Sequence, residues 1–324
     1  VGGISSSDWD TLSSEEANYP LMNRAIAGQY PSGSTIKALT TFAGLKYGIC
    51  DGNSSWYCTG FWTGFGEQYG MHCWLLSGHG TVNLITGITN SCDIVFYEIG
   101  KGFFYNNDHP EGMQETFRAF GLGALSGIDL PEEASGRVPD AEWKWNYFTS
   151  SPDDARKWQG GDNCNLAIGQ GDLLVTCLQM ANAYCGIANR GPIYKPHVLK
   201  SINARNGNGS VIEYKNEVIL SPEEKDEHRD IVARGLYGVV YEESASQTIH
   251  WTNLDVTVNG KTGTAEQQSI GEPVGWFVGY APADKPQYVV AANLDCAPSG
   301  AGSGMYIVRD VFGAIYNQPD NVGR

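Results

Sequence analysis

The segment Tyr30-Pro31-Ser32-Gly33-Ser34-Thr35-Ile36-Lys37 imposes a tight entry turn followed at once by a helix. Pro31 and Gly33 favour the turn, while Ile36, Leu39, Phe42, Ala43 and Leu45 recur at helical spacing until Gly44 and Gly48 weaken the pattern. Ser34 therefore stands at a helix N-terminus. Positions i and i+3 share a helix face, so the Lys37 amine can reach the Ser34 oxygen, and the helix dipole favours an alkoxide developing there. The pair points to a serine nucleophile with a lysine to activate it.

A Ser-x-x-Lys match alone is most often a solvated helix face; two further motifs, in order along the chain, give it weight here. Ser91-Cys92-Asp93 offers a second hydroxyl, and Lys261-Thr262-Gly263-Thr264 a second amine with two further hydroxyls. Together they match a known acyl-transfer constellation.

The spacing between these motifs outlines the architecture. At 324 residues and 41% hydrophobic, the chain can bury one large core or two lobes, and its 11% aromatic content argues against disorder. Residues 1–30 are polar and turn-rich. Residues 46–80, rich in Gly, Trp, Tyr and Cys, show little periodicity and read as a long structured insertion that needs a cross-link. Helical spacing returns over 81–104, with Ser91-Cys92-Asp93 in a turn between two helices. Thr176 caps a helix running to about 189. Ser221-Pro222-Glu223-Glu224 combines an N-cap, a first-turn Pro and a capping-box Glu, and Ile231, Val232, Leu236, Val239 and Val240 continue an apolar face. Residues 260–266, 275–280 and 288–294 read as strands, and a helix over about 304–316 would cover that sheet. The expected fold is one α/β (α+β) domain over 1–324. Its α/β lobe comes from about 1–45 and 192–324, around an inserted, mainly helical lobe of about 46–191.

The net charge of −15 would repel phosphate backbones and anionic lipid, and no basic run offsets it locally, which argues against nucleic acid as a partner. No stretch approaches the roughly 18 to 20 apolar residues that span a bilayer, and Val1-Gly2-Gly3-Ile4 lacks the features of a signal peptide. A start without Met, in loop-like residues, makes the chain an expected soluble fragment whose native anchor lies elsewhere.

With Ser34-x-x-Lys37, Ser91-x-Asp93 and Lys261-Thr262-Gly263 in place, the chain resembles the transpeptidase domain of class B penicillin-binding proteins, particularly the penicillin-binding protein 2 group. Gly127-Ile128-Asp129-Leu130-Pro131-Glu132, Ala167-Ile168-Gly169-Gln170-Gly171 and Trp276-Phe277-Val278-Gly279-Tyr280-Ala281-Pro282 look like family segments between the motifs. The resemblance implies the penicillin-binding, serine β-lactamase-like fold, with an antiparallel sheet flanked by helices and an all-α lobe. It implies cross-linking of peptidoglycan: attack on a D-Ala-D-Ala stem peptide, release of D-Ala, and transfer of the acyl group to an amine of a neighbouring strand, with β-lactams as inhibitors. Ser34 would be the nucleophile and a neutral Lys37 its base. Ser91 would relay a proton, Asp93 would complete that motif, and Lys261 would supply positive potential. The Thr262-Gly263-Thr264 strand would take the substrate carboxylate on its two hydroxyls, and the N–H groups of Ser34 and Thr264 would form the oxyanion hole. No catalytic cofactor is implied. Implied partners are a glycosyltransferase and a cell-wall complex, at the extracytoplasmic face of the bacterial cell membrane.

Some positions depart from the family pattern. Ser32 stands where Pro is usual, Asp93 where Asn is commoner outside the subgroup, and Cys177 where a Pro often begins the helix. The strand that normally precedes Val1 is missing from the chain.

Eight cysteines allow a disulfide framework. Cys58, Cys73, His79 and Cys92 nevertheless make a Cys3His set suited to tetrahedral zinc, and some relatives in the penicillin-binding protein 2 group hold zinc beside the second motif at matching offsets. A structural zinc, a Cys58–Cys73 disulfide and free thiols are three readings of this set, with His72 and Cys50 as spare ligands. Cys164, Cys177, Cys185 and Cys296 read as small buried apolar residues, and His109, His197, His228 and His250 as structural or exposed. Two other functions compete. A serine β-lactamase or β-lactam sensor shares the motifs, but Ser91-x-Asp93 departs from the hydrophobic third position of class D relay motifs. A silent cell-wall scaffold would have lost Ser34, Lys37 or Lys261. A carboxypeptidase differs only in its acceptor.

Overall fold

Val274–Ala281 is buried along its whole length and forms the middle of a three-stranded antiparallel sheet, between Asn259–Ala265 and Tyr288–Leu294. Successive side chains of a strand point to opposite faces, so this sheet divides two cores. Val274, Trp276, Val278 and Tyr280 face the larger one, with Ile36 and Phe42. Phe277 and Ala281 face the smaller one, where Trp251 packs with Met305, Val308 and Phe312 of the helix Ala301–Ile315. The computed structural model describes residues 3–14, 16, 17, 19–205, 209–242, 251–266, 273–295, 297 and 301–316. Among them no helix is long and apolar enough to cross a membrane.

The helix Lys37–Lys46 follows a 3-10 turn, Gly33–Ile36, and is buried from Lys37 to Leu45, so it runs through the larger core and not over a surface. Phe42 stacks on Phe120, with ring centroids 5.4 Å apart. Asp93–Phe104 packs on this helix and on Gly160–Ala167. Cys177–Ala188 begins with Thr176 and Gln179 in a reciprocal capping box and packs on two strands of the sheet.

Several local expectations shift. The stretch 81–104 is not helical throughout: Gly80–Asn83 pairs with Ser55–Cys58 as a two-stranded sheet, and helices occupy Leu84–Thr89 and Asp93–Phe104. Phe61–Trp62 pairs with Met71–His72, so the inserted region holds two small ribbons besides its helices. Within the polar start, Ser6–Leu12 is an exposed helix with Ser5 as its N-cap.

The helix expected from Ser221 begins at Asp226 and ends at Tyr241. Val218–Leu220 pairs with Ile193–Tyr194 just before, which holds the chain extended, and Glu224 turns inward to His228 Nδ1 at 3.1 Å. Tertiary pairing here outweighs the capping signal. The last helix starts at Ala301, about a turn early.

Candidate active site

Ser91 is the hub of a buried polar cluster. Lys37 Nζ donates to its carbonyl at 2.8 Å and lies 3.3 Å from its Oγ, while Lys261 Nζ lies 3.0 Å from the same Oγ. Lys37 also pairs with Asp93 Oδ1 at 2.7 Å, and Lys261 reaches the carbonyl and Oγ1 of Thr262 at 3.2 and 3.3 Å. Both lysine side chains are fully buried, where each ammonium needs such partners to offset lost hydration. The Phe96 ring centroid sits 5.1 Å from Lys37 Nζ, adding a cation–π contact.

The local chain explains this convergence. Leu84–Thr89 ends just before Ser91, whose φ of 53° is left-handed, an uncommon and strained choice for a residue with a Cβ. The N–H groups of Ser91 and Cys92 donate back to the carbonyls of Ile88 and Gly87, at 3.2 and 2.9 Å. Asp93 then opens the next helix, where a carboxylate complements the dipole. Its Oδ2 accepts the Trp74 N–H at 2.9 Å.

Ser34 is half-buried, whereas its neighbours from Tyr30 to Leu45 are buried. Its turn is fastened by Gly33 N–H to the Gly169 carbonyl at 2.9 Å and by Trp276 Nε1 to the Pro31 carbonyl, also at 2.9 Å. Asn259–Ala265 is one edge strand of the sheet, and its Gly263 and Thr264 lie against this turn. Thr264 is exposed and Thr262 is buried. The structure thus brings together Ser34, Lys37, Ser91, Asp93 and the Lys261–Thr264 strand. One detail differs from expectation: Lys37 directs its hydrogen bonds to Ser91 and Asp93, and the expected bond to Ser34 is not among them. An anionic acceptor attracts the ammonium more than a neutral hydroxyl does.

Behind the Ser91 turn, the ligand atoms of Cys58, Cys73, His79 and Cys92 lie within 4.8 Å of one another. The three cysteines are buried and His79 is partly so. His79 Nδ1 is 3.4 Å from Cys58 Sγ and 3.6 Å from Cys73 Sγ, spacings that suit nitrogen and sulfur on one tetrahedral zinc. The donor set therefore fits a closed structural zinc site. Cys73 is drawn down to about 5 by its hydrogen bond with Cys92, against the effect of burial, and the same bond together with burial pushes Cys92 up. All seven described cysteines are free thiols, so the Cys58–Cys73 disulfide is not formed. Cys50 is buried away from this cluster, and His72 lies beside the Phe61 ring.

Other assignments change in detail. Cys164 is buried as expected, but Cys177 and Cys185 are only half-buried; Cys296 and His250 lie outside the described residues. His109 packs on Tyr47, His197 stacks on Tyr214 at 3.5 Å, and His228 is buried against Glu224. Sequence reading missed Phe96 and Trp74. Phe96 follows Asp93 by three positions on one helix face, a detectable signal; Trp74 has none, because its partners are distant in the chain.

The domain family described as penicillin binding protein transpeptidase domain matches residues 5–316. A peptidoglycan D,D-transpeptidase MrdA of Acinetobacter baumannii is 32% identical over 96% of this chain and 46% of its own length. Among solved structures, Pseudomonas aeruginosa PBP2 in complex with WCK 5153 superposes with a TM-score of 0.82 at 28% identity, over 97% of this chain and 64% of that one. A complex between PBP2 and MreC from Helicobacter pylori gives 0.80 at 26% identity, over 98% and 55%. This chain spans about half the length of the curated relatives it matches. The chain belongs to the penicillin-binding protein transpeptidase domain family, and its fold is that of the family.

Proposed function

We propose that this chain is the catalytic domain of a peptidoglycan D,D-transpeptidase that cross-links stem peptides through an acyl-enzyme on Ser34, and that β-lactams inhibit it by acylating the same oxygen. One observation carries the reading: the Ser91 hydroxyl lies 3.3 Å from the Nζ of Lys37, the residue that follows the half-buried Ser34 turn, and 3.0 Å from Lys261 Nζ.

The proton path follows from those contacts. Ser34 Oγ attacks the carbonyl of the penultimate D-Ala while its proton passes to Lys37 Nζ, which acts as general base once the ammonium of the resting Lys37–Asp93 pair has given up a proton to solvent. The oxyanion of the tetrahedral intermediate meets the N–H groups of Ser34 and Thr264, where one donor is typically worth roughly 3 to 4 kcal/mol. As the C–N bond breaks, Ser91 gives its proton to the departing D-Ala nitrogen and regains one from Lys37. The acceptor amine then attacks the ester, and its released proton returns to Ser34 Oγ as the C–O bond breaks. Asp93 holds Lys37 beside Ser91. Lys261 adds positive potential, Thr262 and Thr264 bind the terminal carboxylate, and Gly263 admits the serine turn.

These steps use no cofactor. Cys58, Cys73, His79 and Cys92 are the residues that would hold a structural zinc, whose bonds would cross-link the insertion to the Ser91 turn. The whole protein is proposed to work at the extracytoplasmic face of the bacterial membrane, through an anchor outside this chain and beside a glycosyltransferase. The complex of the Helicobacter pylori relative with MreC supports assembly into a wall-building machine.

Labelling with a fluorescent penicillin tests the reading. The expected result is a long-lived adduct on the Ser34 peptide, absent from Ser34→Ala, with D-Ala released when a pentapeptide and an acceptor amine are supplied. Rapid turnover to penicilloate would establish a β-lactamase, and no labelling a silent scaffold.

A further inference from the structure

We propose that Trp74 is a positioning residue for the Ser91 hydroxyl, holding the left-handed turn between Asn90 and Asp93 from both ends. Its main-chain N–H donates to Asp93 Oδ2 at 2.9 Å, and its indole Nε1 donates to the Asn90 carbonyl at 3.0 Å. Ser91, with φ 53°, lies between these two anchors. A residue with a Cβ keeps that conformation only where its surroundings over-determine it. The two bonds of Ser91 and Cys92 back to Ile88 and Gly87 lie within the turn and its helix. From outside, Lys37 and Lys261 hold Ser91 itself and Lys37 also holds Asp93, whereas Trp74 ties Asn90 to Asp93 across the turn.

Two features separate this from ordinary packing. Trp74 is 55% exposed, so its indole contributes little to a core, and what orders it is the pair of donors and an edge contact with His79, ring centroids 5.4 Å apart. The main-chain anchor also shares a carboxylate with the catalytic cluster, because Asp93 Oδ1 is the atom that pairs with Lys37. Loss of the indole bond lets the turn relax toward ordinary negative φ and carries Ser91 Oγ away from both amines. The effect falls on proton transfer and spares ligand binding.

The inference rests on the acyl-enzyme reading, and the test separates the two. Trp74→Phe keeps a ring and removes the N–H donor. Stopped-flow acylation by a fluorescent penicillin is expected to slow about threefold to tenfold, the worth of one neutral hydrogen bond, while the dissociation constant before acylation stays within about twofold. In a Ser91→Ala background the same substitution is expected to leave the residual rate unchanged, since its target is gone. Acylation at the parent rate, or equal slowing with and without the Ser91 hydroxyl, overturns the proposal. If the phenylalanine variant does not fold, site-specific replacement of Trp74 by its benzothiophene analogue removes only the N–H and reads the same quantity. Absence of Ser34 labelling in the parent protein would instead overturn the acyl-enzyme reading.

Discussion

A Cβ placed on Gly33 would lie 2.6 Å from the carbonyl oxygen of Thr264, so the serine turn and the Lys261–Thr264 strand meet main chain to main chain. Gly33 also has φ +51°, and a Cβ on Gly263 would come 2.9 Å from the Ser32 carbonyl. Both glycines serve one contact, which sets Ser34 beside the strand proposed to hold the substrate.

Gly33→Ala should therefore damage both stability and chemistry. An L residue in the left-handed region costs about 1 to 2 kcal/mol, and backbone clash adds displacement of the Thr264 main chain. Acylation of Ser34 is expected to fall by more than about tenfold, because catalysis is sensitive to sub-ångström placement. Parent-like acylation kinetics in a folded Gly33→Ala protein would show that the close approach is dispensable.

Lys37→Met removes the ammonium from a buried pair and leaves the Asp93 carboxylate without it. Breaking such a pair from one side costs about 3 to 5 kcal/mol, and the Trp74 N–H that Asp93 retains puts this case near the lower figure. The double variant Lys37→Met with Asp93→Asn removes the stranded charge. Denaturant unfolding should show the double variant more stable than the single one; the reverse order would mean that Asp93 is hydrated in place.

Zinc stoichiometry is a direct readout of the Cys3His set. Protein purified without chelator is expected to carry about one zinc per chain, and Cys58→Ser to carry far less. Stripping the metal should lower the melting temperature and slow Ser34 acylation together, because Cys92 adjoins Ser91. A metal-free native protein with full acylation would leave the four residues as a thiol cluster only.

Glu224 predicts a pH dependence. Burial raises its carboxyl above the ordinary glutamate value, against the opposing influence of His228, Lys46 and Arg229. A raised folded-state value gives stability that is fully present below the unfolded value and is lost as pH rises through the folded one. Relative to Glu224→Gln, the parent protein is thus expected to lose stability as pH rises above the ordinary glutamate range. Parallel stability curves for the two proteins would contradict this.

Local segments proved legible where the chain alone decides them. The capping box of Thr176 and Gln179, the strand Tyr288–Leu294 and the helix entry at Ser34 each carry their signal within a few residues. The helix start misplaced at Ser221 shows the limit: Pro222 and Glu224 look like a first turn, but pairing of Val218–Leu220 with Ile193–Tyr194 keeps them extended. Gly80–Asn83 likewise became a strand because Ser55–Cys58 lies beside it. A pairing partner distant in sequence leaves no local periodicity to read.

By itself the amino-acid order determined which reactive groups this protein has and which face of which helix or strand presents them, because backbone preference and side-chain period act over three or four residues. Only the tertiary structure decided how those groups are shared. Lys37 turns to Ser91 and Asp93 because a buried ammonium needs its acceptors. Ser91 holds a left-handed φ within its own helix-turn bonds and the Trp74 bridge, and four ligand atoms from three separate segments meet within 4.8 Å. Burial and hydrogen-bond satisfaction are properties of the whole packed chain, and no window of sequence contains them.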